Sequence, residues 1–444
     1  MEKAFIFNTV QEVRFGKVLG FIIPTYLTSC FNTLYTIVDG IFVASYVGTN
    51  ALAAINIVYP IVNVLTGIAL LFATGGSAIA ALHIGAGRKE SADRAFSVSI
   101  LFSITTGIFI ALLILVNLSQ VLQILGATSV TMEQCKIYSV LWLVGTPAVI
   151  GKELFTYFIR VDGSPTYSFF TALAGGVLNI VLDYILIGYL HMGVLGAALA
   201  TVLGLVLSVL VGVYYFIRRK KILHFTTRGL SIATGVRCAF NGVSEFVNQL
   251  AIAITTTVFN RTAMIFAGED GIAAISIIMY LQFIFLGVYF GYSMGISPLL
   301  GYAYGDHKFE ICKKLEKYSY RFFTTVPMII YVLTFLFAPV GVSFFADAGS
   351  KVYHIAVSGM RLYGLGFLFS GFNIFAAVRM MAYGKGHLSG TITFLRSFAL
   401  LLLFLTILPI YWGMNGIWFA VPMAEILTLF VSFLIVLDSE KYLR

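Results

Sequence analysis

The chain has 444 residues, 59% of them hydrophobic and only 11% charged, with a mean hydropathy of +0.96. A soluble domain carries roughly 25% charged residues, so a deficit spread along the whole length excludes a water-soluble domain of any size, and equally a soluble protein on a single anchor. The formal net charge of +9 would suggest nucleic acid in a soluble protein; here the basic residues sit in loops, so the charge reads as membrane topology and no nucleic-acid partner is expected.

From Met1 to Gly20 the chain alternates Glu2, Lys3, Glu12, Arg14 and Lys17 with apolar residues. It lacks the basic start, short apolar run and small-residue cleavage site of a signal peptide, so the first apolar stretch is expected to stay in the mature protein. Crossing a hydrocarbon core takes about 20 mostly apolar residues. By that measure spans 1 to 6 are expected at 15–38, 51–79, 95–117, 134–158, 166–188 and 194–217. Spans 7 to 12 follow at 238–262, 271–298, 321–345, 354–383, 389–410 and 416–437.

The loops sort by charge. Lys3, Arg14 and Lys17, then Arg88, Lys89, Arg94 and Arg160, then the basic residues from Arg218 to Arg237, lie on one side. So do Lys308, Lys313, Lys314, Lys317, Arg321, Arg379, Lys385, Lys441 and Arg444, which makes twenty-two against a single residue, Lys351, on the other. The positive-inside rule then puts both termini in the cytoplasm, as an even number of spans requires, and the protein in the inner (plasma) membrane.

The chain also repeats. Gly48-Thr-Asn-Ala-Leu-Ala-Ala-Ile-Asn-Ile-Val is similar to Gly268-Glu-Asp-Gly-Ile-Ala-Ala-Ile-Ser-Ile-Ile at an offset of 220, and Ile84 to Ser91 aligns with Tyr302 to Phe309 at 218. An even number of helices per repeat makes the halves parallel, with a substrate path between them. The expected organisation is an all-α membrane protein of twelve transmembrane helices in two pseudo-symmetric six-helix bundles. These are an N-lobe at 1–217, a cytoplasmic connector at 218–237 and a C-lobe at 238–444.

Ionisable groups within spans cost roughly 2.5–3.5 kcal/mol each at the bilayer centre, so each needs a reason. Span 1 carries Asp39 near its outer end and span 5 carries Asp183, with Asn179 one helical turn earlier on the same face. Thr201 of span 6 reaches the same depth, and no Lys or Arg of spans 1, 2, 3, 5 or 6 is placed to neutralise the acids. Two such carboxylates share protons or hold a cation, or else form a structural pair. Tyr35 stands one turn from Asp39 and is a candidate for the substrate cleft. Pro24 removes a backbone hydrogen bond from span 1 and makes either a static kink or a hinge. Most rings of the aromatic stretch Tyr280 to Tyr292 read as lipid contact and packing, and Lys152, Glu153 and Arg160 as structural ion pairs. Arg361, Arg396 and Glu425 carry no role the sequence can assign. The scattered Cys30, Cys135, Cys238 and Cys312 support no disulfide or zinc site.

Pro24 with Asp39, the run Asn179-Ile-Val-Leu-Asp183, and Thr201 in Gly196-Ala-Ala-Leu-Ala-Thr together resemble the multidrug and toxic compound extrusion (MATE) family. Within it they are most similar to the DinF-like branch with its MepA-type exporters. Thr36 to Val43, Gly48 to Ala54 and Arg160-Val-Asp-Gly-Ser-Pro extend the resemblance over essentially the whole chain. It implies a V-shaped pair of lobes. It implies a cation or proton coupling site at Asp39, Asn179, Asp183 and Thr201, with Pro24 as the bending point. Glu245, which the repeat sets opposite Thr25, resembles the C-lobe acid of the NorM branch and is a second coupling candidate, although span 10 lacks the acid that branch also carries.

The expected function is a secondary antiporter exporting amphipathic, often cationic compounds in exchange for H⁺ or Na⁺. It acts as a monomer among membrane lipids, with no cofactor and no metal other than Na⁺ at the coupling site. A lipid-linked oligosaccharide flippase of the same superfamily is the alternative, disfavoured by the acidic N-lobe interior. No HExxH and no GxxxxGK[ST] is present, which argues against an enzyme or an ATP-driven pump.

Overall fold

The computed structural model describes residues 13–440. Glu2, Lys3, Glu12, Lys441 and Arg444, named above for their charge, lie outside the described residues. Every regular element among them is helical. Among the described residues, nine helices are long and apolar enough to cross a membrane. One of them, Val243–Gly305, has 63 residues, which at 1.5 Å per residue is about three times the hydrocarbon thickness. It divides at Gly268 (φ 62°), and Leu400–Glu440 divides in the same way at Gly413 (φ 56°). Only glycine takes that backbone conformation without strain. Each reversal is closed by a second glycine three residues on: a Cβ at Gly271 would stand 2.9 Å from the Ala263 carbonyl oxygen, and one at Gly416 would stand 2.3 Å from that of Leu408. Met132–Val144 and Thr146–Val161, broken at Gly145, add a further crossing below the length limit. Twelve spans result.

Spans 1, 2 and 3 are Phe15–Tyr46, Thr49–Gly85 and Lys89–Val116. Span 5 is Pro165–Leu182 continued by a π-helical turn, Asp183–Tyr189, and span 6 is Gly193–Arg218. Span 7 begins with Ile232–Asn241 and runs on through 243–268, and span 8 covers 268–305. Spans 9 and 10 are Phe309–Ser343 and Lys351–Ala382, span 11 begins at Gly386 and contains a second π turn, Leu395–Ala399, and span 12 follows Gly413. Helices reach several residues further than expected at the basic end, where polar first turns such as Lys89 to Arg94 lie outside the apolar window.

The first six spans pack mainly on each other and so do the last six, with spans 1 and 2 against spans 8 and 7 as the broad contact between them. Exposed apolar side chains such as Phe109, Leu112, Leu210, Leu336 and Phe430 face outward, as a lipid-bathed surface requires. The interface between the bundles is pseudo-symmetric. A Cβ at Gly85 would meet Tyr302 O at 2.3 Å, and one at Gly305 would meet Leu82 O at 2.1 Å. Higher up, a Cβ at Gly75 would meet Cys238 O at 2.1 Å and Gly242 N at 2.4 Å, while its counterpart Gly295 lies against Ile22. Asn241 Nδ2 ties the seam by donating to Gly75 O and to Met381 O.

This geometry corrects the second repeat alignment. Gly85 and Gly305 end spans 2 and 8, and Arg88 and Lys308 precede spans 3 and 9, so the offset stays at 220 rather than falling to 218. Matching Gly87 to Gly305 was misleading, because the positive-φ position of Gly87 (71°) is taken by His307 (55°) in the second half. The charge count also changes: Lys136, at the start of span 4, and Arg261, near Gly268, join Lys351 at the end away from the basic loops. The bias keeps its sign.

The stretch after span 6 is stitched to the N-terminal bundle. Asp162, in the turn after span 4, accepts from the backbone N–H groups of Lys221, Ile222 and Leu223 and from Tyr215 Oη. Burial pushes its carboxyl above the ordinary aspartate value against these hydrogen bonds. His224 N then donates to Asp93 and Thr226 N to Ser97, before Ser231 caps span 7.

Candidate functional site

Small residues bring the two acids together. Gly175 lets span 6 approach until a Cβ there would stand 2.5 Å from Gly204 O, and Gly176 lets span 1 approach until a Cβ there would stand 2.3 Å from the Phe31 ring. Span 5 is thereby packed between spans 1 and 6, and Asn179 Nδ2 faces Thr201 Oγ1 at 3.5 Å. One turn on, Asp183 opens the π-helical turn, a local widening often found at functional sites. The Asp39 and Asp183 carboxyl groups turn toward each other. Asp183 is 0% exposed, and neither of its carboxylate oxygens, nor Asp39 Oδ1 nor Asn179 Oδ1, has a hydrogen-bond partner among the described residues. Unsatisfied oxygens packed this closely suit a proton or a hard cation, the one species that would compensate them.

The other candidates divide. Tyr35 lies in the narrow pocket beside Asn32, Lys152, Asn179 and Thr201 and does not line the large cavity between the bundles. Pro24 is buried in a helix that continues through it, and Thr28 Oγ1 donates back to its carbonyl oxygen at 2.8 Å. Side chains bonded to the preceding turn soften a helix for bending. Lys152 pairs with Glu153 at 2.6 Å, as expected, but Arg160 has no carboxylate partner among the described residues. Sequence reading missed Tyr138 of span 4, which stands within electrostatic reach of both acids.

Between the bundles lies a cavity of about 470 Å³. Glu153, Tyr157 and Arg160 line it from one side, and Glu245, Phe290 and Arg396 from the other. Glu245 is 9% exposed and joins no ion pair among the described residues. Arg396, in the π turn of span 11, is committed to Glu425 at 2.7 Å. Glu425 also accepts from Ser370 Oγ and Asn373 Nδ2, and Asn373 Oδ1 accepts from Ser432. Ser370, Asn373, Arg396, Glu425 and Ser432 thus satisfy one another within the second bundle. Ion pairs across helices depend on helix rotation, and no spacing within one span could have revealed them.

Comparison with known proteins agrees with this geometry. The MatE family model matches twice, at residues 24–185 and 246–408, once in each bundle. The multidrug export protein MepA of Staphylococcus haemolyticus (strain JCSC1435) is 25% identical over 466 aligned residues, covering 100% of this chain and 97% of that protein. MepA of Staphylococcus aureus (strain MSSA476) is 24% identical over 434, covering 95% and 93%. Among solved structures, an outward-facing multidrug resistance MATE family transporter of the MOP superfamily aligns with a TM-score of 0.90 at 24% identity over 96% of each chain. A MOP superfamily transporter from Pyrococcus furiosus Vc1 (DSM3638) aligns with the same score, identity and coverage.

Proposed function

The chain belongs to the MatE family, and from that premise we propose that it is an antiporter exporting amphipathic, often cationic drugs in exchange for H⁺ or Na⁺ by alternating access. The family is one of multi-pass membrane transporters and not of enzymes. The MepA relatives, matched over nearly their full length, support multidrug export. The observation that carries the coupling site is the group of unpartnered oxygens of Asp39, Asn179 and Asp183 beside Thr201. Two buried carboxyls facing each other hold one proton or one Na⁺ between them. A cationic drug competes for the same negative charge, and that competition links the two fluxes. Pro24, buried about a third of the way along span 1, is the bending point in this reading.

The test is ethidium binding to detergent-purified protein across pH. Protonating the pair removes negative charge, so affinity for this permanent cation should fall as pH drops, by about tenfold for a loss of 1.4 kcal/mol. It should become nearly independent of pH in Asp39→Asn. A flat wild-type profile, with and without Na⁺, would mean that the acids are structural.

Both termini face the cytoplasm in this reading, supported by the charge bias and the even span count. A reporter enzyme that works only in the cytoplasm, fused after Arg444, should be active. An inactive fusion of normal abundance would overturn the orientation.

A further inference from the structure

The floor of the large cavity lies on the pseudo-twofold axis. A recess there is lined by residues that pair off at the repeat spacing, with Thr74 opposite Met294, Ser77 opposite Ser297 and Arg160 opposite Met381. Arg160 and Met381 each precede a positive-φ glycine, Gly163 or Gly384, by three residues. One bundle therefore sets a guanidinium where the other sets a thioether.

Arg160 is not a structural arginine of the kind found in the second bundle. Arg379 is fully buried away from the cavity and bound to Glu316 at 2.6 Å. The counterparts of that ion pair in the first bundle are Phe158 and Phe96, two rings packed 4.9 Å apart. Arg160 is 4% exposed. Its Nη1 donates to Met294 O at 3.2 Å across the interface, and its Cζ lies 4.8 Å over the Tyr157 ring. The buried Nε has no partner, and no carboxylate lies within ion-pair distance among the described residues. A buried guanidinium without a carboxylate is unfavourable at this depth, and its planar fork of donors matches a carboxylate.

The charges around the cavity cancel: Glu153 and Glu245 against Arg160 and Arg396. Lys152 holds Glu153 and Glu425 holds Arg396. The two lining charges without an ion pair are thus Arg160 and Glu245, one of each sign. Resting on the export reading, we propose that Arg160 binds the carboxylate of a zwitterionic substrate whose cationic end faces Glu245. Phe290, which lines both the cavity and the recess beside Glu245, flanks its apolar body.

Rhodamine 110, with a free carboxylate, and rhodamine 123, its methyl ester, share one cationic ring system and test this directly. Fluorescence anisotropy on the detergent-purified full chain at neutral pH should show rhodamine 110 binding about tenfold more tightly. Arg160→Gln should weaken rhodamine 110 about thirtyfold and rhodamine 123 by less than about twofold. Equal affinities in the wild type, or equal losses in Arg160→Gln, would overturn the carboxylate site and leave the export reading standing. Binding of neither dye to the wild type would overturn the export reading and this site together. The wild-type comparison needs no variant, so it decides the matter even if Arg160→Gln fails to fold.

Discussion

Asp183→Asn should abolish gradient-driven efflux while leaving the folded protein intact or more stable. In inverted vesicles energised by a pH gradient or a Na⁺ gradient alone, ethidium uptake should fall at least about a hundredfold, to the rate of vesicles without the protein. Asparagine keeps the shape of the side chain but can neither take up a proton nor hold a cation as a charged ligand. Outside the acid pair itself neither Asp183 oxygen has a hydrogen-bond partner among the described residues, and the asparagine amide can donate to Asp39 in place of the shared proton. Removing a fully buried carboxyl relieves a desolvation cost of several kcal/mol, so the thermal midpoint should be unchanged or higher. Efflux at the wild-type rate would remove Asp183 from the mechanism, and a large drop in thermal midpoint would mark it as structural.

Gly75→Val should wedge the bundles apart at their basic end. The first atom beyond Cα would stand 2.1 Å from Cys238 O and 2.4 Å from Gly242 N, and backbone cannot swing aside as a side chain can. Spans 2 and 7 must separate by about an ångström or more, at a cost beyond the roughly 1–3 kcal/mol of ordinary overpacking. Conformers of a transporter differ by only a few kcal/mol, so the balance should move to one with this seam open. Cys238 is a built-in reporter: it lies at the seam and is 0% exposed. With the other three cysteines replaced, maleimide should label Cys238 at least about tenfold faster in Gly75→Val than in the parent, and transport should be lost. Unchanged labelling with normal transport would show that the seam does not move.

Much of this architecture is legible in sequence because the bilayer imposes it. Long apolar runs separated by basic loops give the spans, and the Gly48 and Gly268 stretches give the repeat. The pairing of Asn179 with Asp183 was readable because one helical turn fixes it. Relations between helices were not. Whether Arg160 meets an acid, or Arg396 meets Glu425, depends on how each helix is rotated. Tyr35 shares a face with Asp39 and still ends in the narrow pocket rather than the large cavity, because Gly176 draws that stretch of span 1 onto span 5. The alignment of Gly87 with Gly305 failed because residue identity was matched where backbone conformation was the shared property, and His307 adopts it.

The hydrogen bonds that fasten 221–226 to the first bundle act as a limit stop. Thr226 is held to Ser97, Ser231 caps span 7, and only residues 227–230, with Arg228 N turned back onto Thr226 Oγ1, join the two anchors. Five peptide links reach at most about 17 Å when fully extended. However the bundles rock, that edge of the basic end cannot part further than its strap allows. In the proposed alternating access, motion there would be a short stroke about a tethered corner, while the far ends of the spans, about 30 Å away, would travel on a longer arm. The same strap sets the width of the gap through which a molecule could enter along that edge, so the linker between the two halves also acts as a gauge of size.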